Sequence, residues 1–484
     1  MGALFVPRAR PGARLRQLQP GISAPAVMVS PPTVTSGTTQ TLARRWYAAN
    51  GNASYRLASS PRGGFFTPTR TQPAANGVAL IPGNTLTPGT AGQTATGMMQ
   101  VSFLHDGSDI ELNIYSTNGM LIRVDGEYVS LTPTTVAATS TFIKLAFGSR
   151  RLRRIDVIGT QLNFMGVATG WTDGLYPAPV RGPRVICLGD SFTQSDVQSW
   201  HSWLSDCTGW DDIWAAGVGG TGYLATAGGA AKKFRDRVAS DVIAYAPDIV
   251  MVMGSLNDSA NTPAALTAEA TALVAQIRDA LPSCLVIGGY NASGGVEKLT
   301  TQGLDAMDAT RDGFIAGGGI WLNPIEMPIA FDGPAPSTTV AFATAAGRPG
   351  SGANPATITP ASQGITGQTN VSPATNALPF AGAVVEIGTG ATRERIHVTT
   401  FAQTSGVIAY GFDGTARYAH AVGEPMVMKG PSFLTGQGKL GTPTGFGNAD
   451  LFISADGVHP TPDGHRAIAH VQATMLRQYL GALS

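Results

Sequence analysis

The chain has 484 residues, enough for roughly two or three domains with a substantial core. Hydrophobic residues make up 43% and charged residues only 13%, below the roughly 25% of ordinary soluble domains, so the surface must be largely neutral and polar. A net charge of +1 gives no reason to expect nucleic acid or an anionic membrane as partner, and the three scattered cysteines Cys187, Cys207 and Cys284 suit neither a disulfide framework nor a zinc site.

Residues 1–45 read as an irregular arm. Arg8, Arg10, Arg14 and Arg16 are interleaved with Pro7, Pro11 and Pro20, a composition for a flexible or partner-docked leader rather than for an export signal, with phosphate or lipid-headgroup contact as the alternative, and no apolar run approaches a membrane span. Over 46–175 the signals turn strand-like. Short apolar runs at 99–104, 110–115, 120–124 and 142–147 are punctuated by expected turns at His105-Asp106-Gly107, Thr117-Asn118-Gly119 and Asp125-Gly126. This predicts an antiparallel β-sandwich or jelly roll. Arg150, Arg151, Arg153 and Arg154 read as a solvated strand edge, with an anionic glycan contact as the alternative.

From 183 the pattern becomes strand and helix in alternation. Apolar runs at 185–188, 213–216, 249–253, 285–287 and 320–322 predict parallel strands. Thr262 and Pro263 open the clearest helix, whose apolar face is Leu266, Ala270, Leu273, Val274, Ile277 and Leu281. Ligands of such a sheet are expected at the carboxyl ends of its strands. Residues 325–430 interrupt the alternation as a β-rich insertion, with strand-like pieces at 383–387, 395–400 and 407–412; a linker is the alternative up to about 375. A closing helix follows Thr461-Pro462, with Ile468, Val471, Met475 and Tyr479 at helical spacing.

Four of these predicted strand and helix ends carry reactive or polar groups. Gly189-Asp190-Ser191-Phe192-Thr193 follows the first strand, and a glycine-rich turn from Gly217 to Gly222 follows the second. Gly254-Ser255-Leu256-Asn257-Asp258 follows the third, and Asp456-Gly457-Val458-His459-Pro460 precedes the last helix. Each has a plain alternative: Ser191 as a helix cap, Asn257 as a turn residue, His459-Pro460 as a helix approach. His201 and Trp200, Trp203 and Trp210 read as packing, with sugar stacking as the alternative.

The ordered set G-D-S, glycine turn, G-x-N-D and D-x-x-H-P resembles the SGNH (GDSL-type) hydrolases over residues 183–324 and 431–484. The resemblance implies a flavodoxin-like three-layer α/β sandwich, with Ser191 as nucleophile, His459 and Asp456 as its partners, and the oxyanion hole formed by Ser191, Gly220 and Asn257. Gly217, Gly219 and Gly222 remain competing registers for Gly220. It implies no metal and no cofactor. No G-x-S-x-G occurs, which argues against the α/β-hydrolase elbow.

The expected activity is hydrolysis of a carboxylic ester through an acyl-enzyme. The appended β region is similar to the jelly rolls beside some carbohydrate esterases, which implies O-deacetylation of a polysaccharide. Lipase or thioesterase action on acyl esters is the alternative, as is a non-catalytic glycan binder on a hydrolase scaffold. Residues 415–423 resemble segments of bacteriophage tail and receptor-binding proteins, so the expected setting is a phage particle, with other virion proteins as partners of the arm and a bacterial esterase as alternative.

Overall fold

The computed structural model describes residues 26–48, 65–71, 73–76, 79–82, 97–194, 196–227, 233–254, 256–289, 301–322, 339–341, 356–358, 384–387, 394–402, 405–409, 425–430, 453–456 and 458–482. The arginines of the arm and the segment 415–423 lie outside the described residues.

The N-terminal region is antiparallel β structure. Its main strands are β1 (Met98–His105), β2 (Asp109–Val124), β3 (Thr141–Ala146), β4 (Arg153–Thr160) and β5 (Asn163–Thr169). The turn expected at Thr117-Asn118-Gly119 does not form, and β2 runs through it as one strand of 16 residues. Its first half pairs with β3 and β5, its second half with β4. Thr117 explains the continuity: its hydroxyl bonds the carbonyls of Gly119 (3.1 Å) and Thr160 (2.9 Å), so the irregularity is absorbed inside the ladder instead of reversing the chain. The arm also differs from expectation. Thr33–Gly37 is a strand on β3 and Arg44–Tyr47 a strand on β5; the first is exposed throughout, which is why no hydrophobic periodicity announces it.

Both faces of β1, β4 and the second half of β2 are covered. Met99, Val101, Phe103, Ile122, Ile155 and Val157 build the core of the β region, whereas Met98, Leu121, Ile158 and Tyr128 belong to the core of the following α/β domain. Strands buried on two sides read as apolar runs without clean alternation.

The α/β domain holds a parallel sheet of β6 (Val185–Gly189), β7 (Ile213–Gly217), β8 (Ile249–Met253), β9 (Leu285–Gly289) and β10 (Ile320–Trp321), in the order β7-β6-β8-β9-β10. Numbered from its first strand, this is the 2-1-3-4-5 order of doubly wound sheets, whose switch point lies beside the first strand. The helices are α1 (Trp200–Thr208), α2 (Phe234–Asp241), α3 (Pro263–Ala280), α4 (Thr301–Ala316) and α5 (Pro462–Ala482). Right-handed crossovers send α1 to one face and α2, α3 and α4 to the other. Accordingly α1 packs with α5, and α3 with α4. Thr262 precedes α3 as its N-cap and Pro263 opens it, as its sequence predicts. Trp200, Trp203 and Trp210 are buried core, not sugar platforms.

A third sheet lies within 339–430. Its strands run in the order Thr339–Ala341, Pro425–Gly430, Val384–Ile387, Glu394–Ala402, Ser405–Ala409 and Ala356–Ile358, all pairings antiparallel. Two of these strands precede residue 375, where a linker was the competing expectation.

The β region is joined to the α/β domain by buried polar groups. Arg123 on β2 pairs with Asp156 at 3.0 Å and with Asp206 on α1, which also accepts from the Tyr128 hydroxyl at 2.7 Å. Arg70 donates to Ser202 (3.2 Å) and Ser205 (2.6 Å) of α1. Arg154 bridges Asp156 and Asp211, each at 2.9 Å. The edge expected to be solvated is therefore divided: Arg150 and Arg151 are exposed, whereas Arg153 is buried and Arg154 nearly so. Burial alone would raise the Asp156 carboxyl, but Arg123 and Arg154 outweigh it and hold the group down to about 2.

Candidate active site

Ser191 stands two residues beyond strand β6, which is flanked by β7 and β8. A side chain at Gly189 would place its Cβ 2.2 Å from the Thr193 hydroxyl and 2.7 Å from the Met253 carbonyl, so glycine is needed where the chain turns. Ser191–Thr193 then forms a short 3-10 turn capped by Asp190, whose carboxylate accepts from the Phe192 N–H at 3.0 Å. The capping role considered for Ser191 falls to its neighbour. Its own hydroxyl lies 2.8 Å from Nε2 of His459, a residue 268 positions away in sequence.

The His459 imidazole reaches the sheet edge from the segment that leads into α5. Its Nδ1 lies 2.6 Å from Oδ2 of Asp456. A proton on Nδ1 donated to Asp456 leaves Nε2 as acceptor for the serine hydroxyl, a complete hydrogen-bonded chain. Oδ1 of Asp456 accepts from the Ser454 hydroxyl (2.6 Å) and from the N–H groups of Val458 (2.9 Å) and His459 (3.0 Å). Slight desolvation opposes ionisation, but these hydrogen bonds hold the Asp456 carboxyl well below the usual carboxylate range. The His459 and Asp456 side chains remain 44% and 49% exposed.

The glycine turn after β7 lies against the serine: a Cβ at Gly219 would be 3.6 Å from that of Ser191. Gly217 is a strand residue whose Cβ would strike the Thr193 backbone at 2.2 Å, and the Gly222 N–H is taken by the Ala225 carbonyl at 2.9 Å. Val218 and Thr221 donate to Gly189 and Val218. Among the described residues the N–H groups of Gly219 and Gly220 have no protein acceptor, which narrows the four competing glycines to two. Gly220 is the one at φ +71°.

Asn257 arrives from the third strand, β8, in a 3-10 turn, Leu256–Asp258, and donates from Nδ2 to the Thr221 carbonyl at 2.9 Å. This hydrogen bond ties the Asn257 segment to the glycine turn. The four segments flagged in the sequence meet at one rim, between β7 and β8.

Two neighbours escape sequence reasoning. Asp258 is fully buried and accepts from the N–H groups of Tyr223 (2.6 Å), Leu224 (3.0 Å) and Ala225 (2.8 Å), fastening the chain beyond the glycine turn to the Asn257 segment. Its place in the G-x-N-D string was the available signal. Phe192 packs 5.6 Å from the His459 ring, with no periodic signal to announce it. Among the described residues no three His, Cys, Asp or Glu side chains gather as metal ligands would, and no helix is long and apolar enough to cross a membrane.

The parallel sheet and the polar rim belong to one α/β domain. Residues 187–316 match the GDSL-like lipase/acylhydrolase family, so the chain carries a domain of that family. Among solved structures it is similar to a family two carbohydrate esterase from Clostridium thermocellum in complex with cellohexaose, at 17% identity over 49% of this chain and 83% of that one, with a TM-score of 0.36. A family two carbohydrate esterase from Cellvibrio japonicus is similar at 14% identity over 60% and 89% of the two chains, TM-score 0.40. A salicylyl-acyltransferase from a tetracycline biosynthetic pathway is similar at 13% identity over 55% and 84%, also with a TM-score of 0.40. No curated protein matches the chain.

Proposed function

We propose that the protein is a serine esterase that hydrolyses carboxylic esters through an acyl-enzyme, with O-deacetylation of a polysaccharide as its reaction. The observation that carries this reading is the chain Ser191, His459 and Asp456, with contacts of 2.8 and 2.6 Å. A serine hydroxyl becomes nucleophilic when an imidazole takes its proton, and the carboxylate fixes the imidazole's tautomer. In this mechanism Ser191 attacks the ester carbonyl while His459 accepts its proton and returns it to the leaving alcohol. Water then enters by the same route and releases the acid. Negative charge on the tetrahedral oxygen is received by the Ser191 N–H, the Gly220 N–H and the Asn257 side-chain amide.

The exposure of the His459 and Asp456 side chains, 44% and 49%, supports a polymeric alcohol as leaving group, which needs room at the rim. Incubation with an acetylated polysaccharide should release acetate with wild type and not with Ser191→Ala. Cleavage of long-chain acyl esters without acetate release would replace this reading by a lipolytic one, and equal rates of the two proteins on p-nitrophenyl acetate would remove the enzyme altogether. We place the esterase in a phage particle, on the support of the Pro/Arg-rich arm and the resemblance of 415–423; gene neighbours without structural phage proteins would refute that setting.

A further inference from the structure

The helix α2 carries a fully buried cation beneath the candidate site. The Arg237 guanidinium donates from Nη2 to the Gly189 carbonyl at 2.6 Å and from Nη1 to the Ala216 carbonyl at 2.7 Å, and it pairs with Asp241 one helical turn away at 3.1 Å. Gly189 and Ala216 are adjacent-strand residues at the carboxyl ends of β6 and β7. Two residues beyond the first stands Ser191, and four beyond the second stands Gly220. One rigid planar group therefore spans the two backbones that deliver nucleophile and glycine turn. Gly189 also accepts from the Val218 N–H at 3.0 Å, so this carbonyl joins the strand, the turn and the guanidinium.

The first turn of the same helix reaches the remaining parts. Phe234 donates its N–H to the Gly222 carbonyl at 2.8 Å, at the far end of the glycine turn. Its ring fills the space beside Gly254, where a Cβ would meet it at 2.5 Å, just before the Asn257 segment. Arg237 is fully buried although its ion pair with Asp241 is remote from the rim, and replacing such a pair by apolar residues is commonly neutral for stability. Its hydrogen bonds to two strand-end carbonyls give it a different use.

We propose that Arg237 is a positioning residue for acyl transfer, holding the Ser191 turn and the Gly220 turn at the spacing that the tetrahedral intermediate requires. This rests on the esterase reading above. A displacement of about an ångström between reacting groups can cost on the order of a hundredfold in rate, so loss of the clamp should be read in turnover rather than in ground-state binding.

The test uses the full chain with Arg237→Lys, whose single ammonium cannot span both carbonyls with a planar fork, and the double variant Arg237→Met/Asp241→Leu, which removes the guanidinium together with the carboxylate it pairs with. Thermal melts establish folding; kcat and KM on p-nitrophenyl acetate and the affinity for a boronic acid, which mimics the tetrahedral adduct on Ser191, are then measured. We expect kcat to fall roughly ten- to a hundredfold with KM changed less than about threefold, and boronate affinity to fall in parallel with kcat. A purely structural role would lower the melting temperature without that parallel loss. Wild-type kcat and boronate affinity in either folded variant overturn the proposal, and so does failure of both variants to fold, since Arg237 would then serve stability. A wild type that neither turns over ester nor binds boronate would instead overturn the esterase reading itself.

Discussion

The Asn257 carboxamide donates to the Thr221 carbonyl at 2.9 Å, joining the segment beyond β8 to the glycine turn beyond β7. Removing it takes away that tie and, in the mechanism we propose, a donor for the oxyanion. Asn257→Ala should lower kcat by roughly 10²–10³, about 2.7–4 kcal/mol of barrier, with a smaller change in KM. Steady-state kinetics on an activated acetyl ester check this; a kcat within a few-fold of wild type would exclude Asn257 from the oxyanion site.

Ser191 and His459 act as a unit if proton and nucleophile move together. Ser191→Ala, His459→Ala and the double variant should therefore fall to nearly the same residual rate, within about tenfold of one another. Multiplicative losses in the double variant would mean that the 2.8 Å contact does not couple them.

The two candidate glycines differ sterically. Gly220 has φ +71°, and its Cβ would lie 2.8 Å from that of Ala227, whereas a Cβ at Gly219 would first meet the exposed Gln194 side-chain amide at 3.1 Å. Gly220→Ala should cost roughly 1–2 kcal/mol from the left-handed backbone alone, and Gly219→Ala less. Denaturant melts of the two variants would show the order, and a reversed order would refute it.

Arg123 and Asp206 link the β region to α1 inside a buried network. Asp206→Ala strands part of a buried guanidinium, while Asp156 at 3.0 Å still pairs with the rest. The loss should sit at the lower end of the buried-pair range, about 3 kcal/mol, and largely disappear when Arg123→Met is added. Urea unfolding of the single and double variants measures both, and an unchanged midpoint for Asp206→Ala would refute the account.

His201 is buried and His465 partly so, and desolvation is the leading cause that pushes their pKa values down to about 4 and about 3. An unfolded histidine titrates near 6.5, so between these values the unfolded chain binds more protons than the folded one. Stability should rise with pH across that window and be lost as pH falls from about 6.5 toward 4. Melting temperatures at pH 7.5 and 5 should differ by several degrees, the acid value being lower. Equal values would show that these rings are not held neutral.

Much of the site was legible because each part is local. Ser191 in G-D-S, Asn257 in G-x-N-D and Asp456 with His459 in D-x-x-H-P are short strings at the ends of apolar runs, and a strand or helix end is itself a local signal. The strands from Val185, Ile213 and Ile249 were visible for the same reason: buried parallel strands are continuous apolar runs. Thr117-Asn118-Gly119 misled because its composition suits a turn, whereas the Thr117 hydroxyl bonds and the pairing of β2 with β4 keep the strand intact. Thr33–Gly37 left no mark because an exposed edge strand needs no apolar pattern.

The amino-acid sequence by itself determined the parts: a nucleophile candidate after the first parallel strand, amide donors after the next two, and an imidazole with its carboxylate before the last helix. Only the tertiary structure decided their register. It brought His459 to Ser191 across 268 positions, reduced four glycines to two by occupying the other N–H groups or strand positions, and set Arg237 under two strand ends. Those decisions rest on contacts between distant segments, whose partners are chosen by packing and hydrogen-bond satisfaction over the whole fold and carry no periodic signal in either segment.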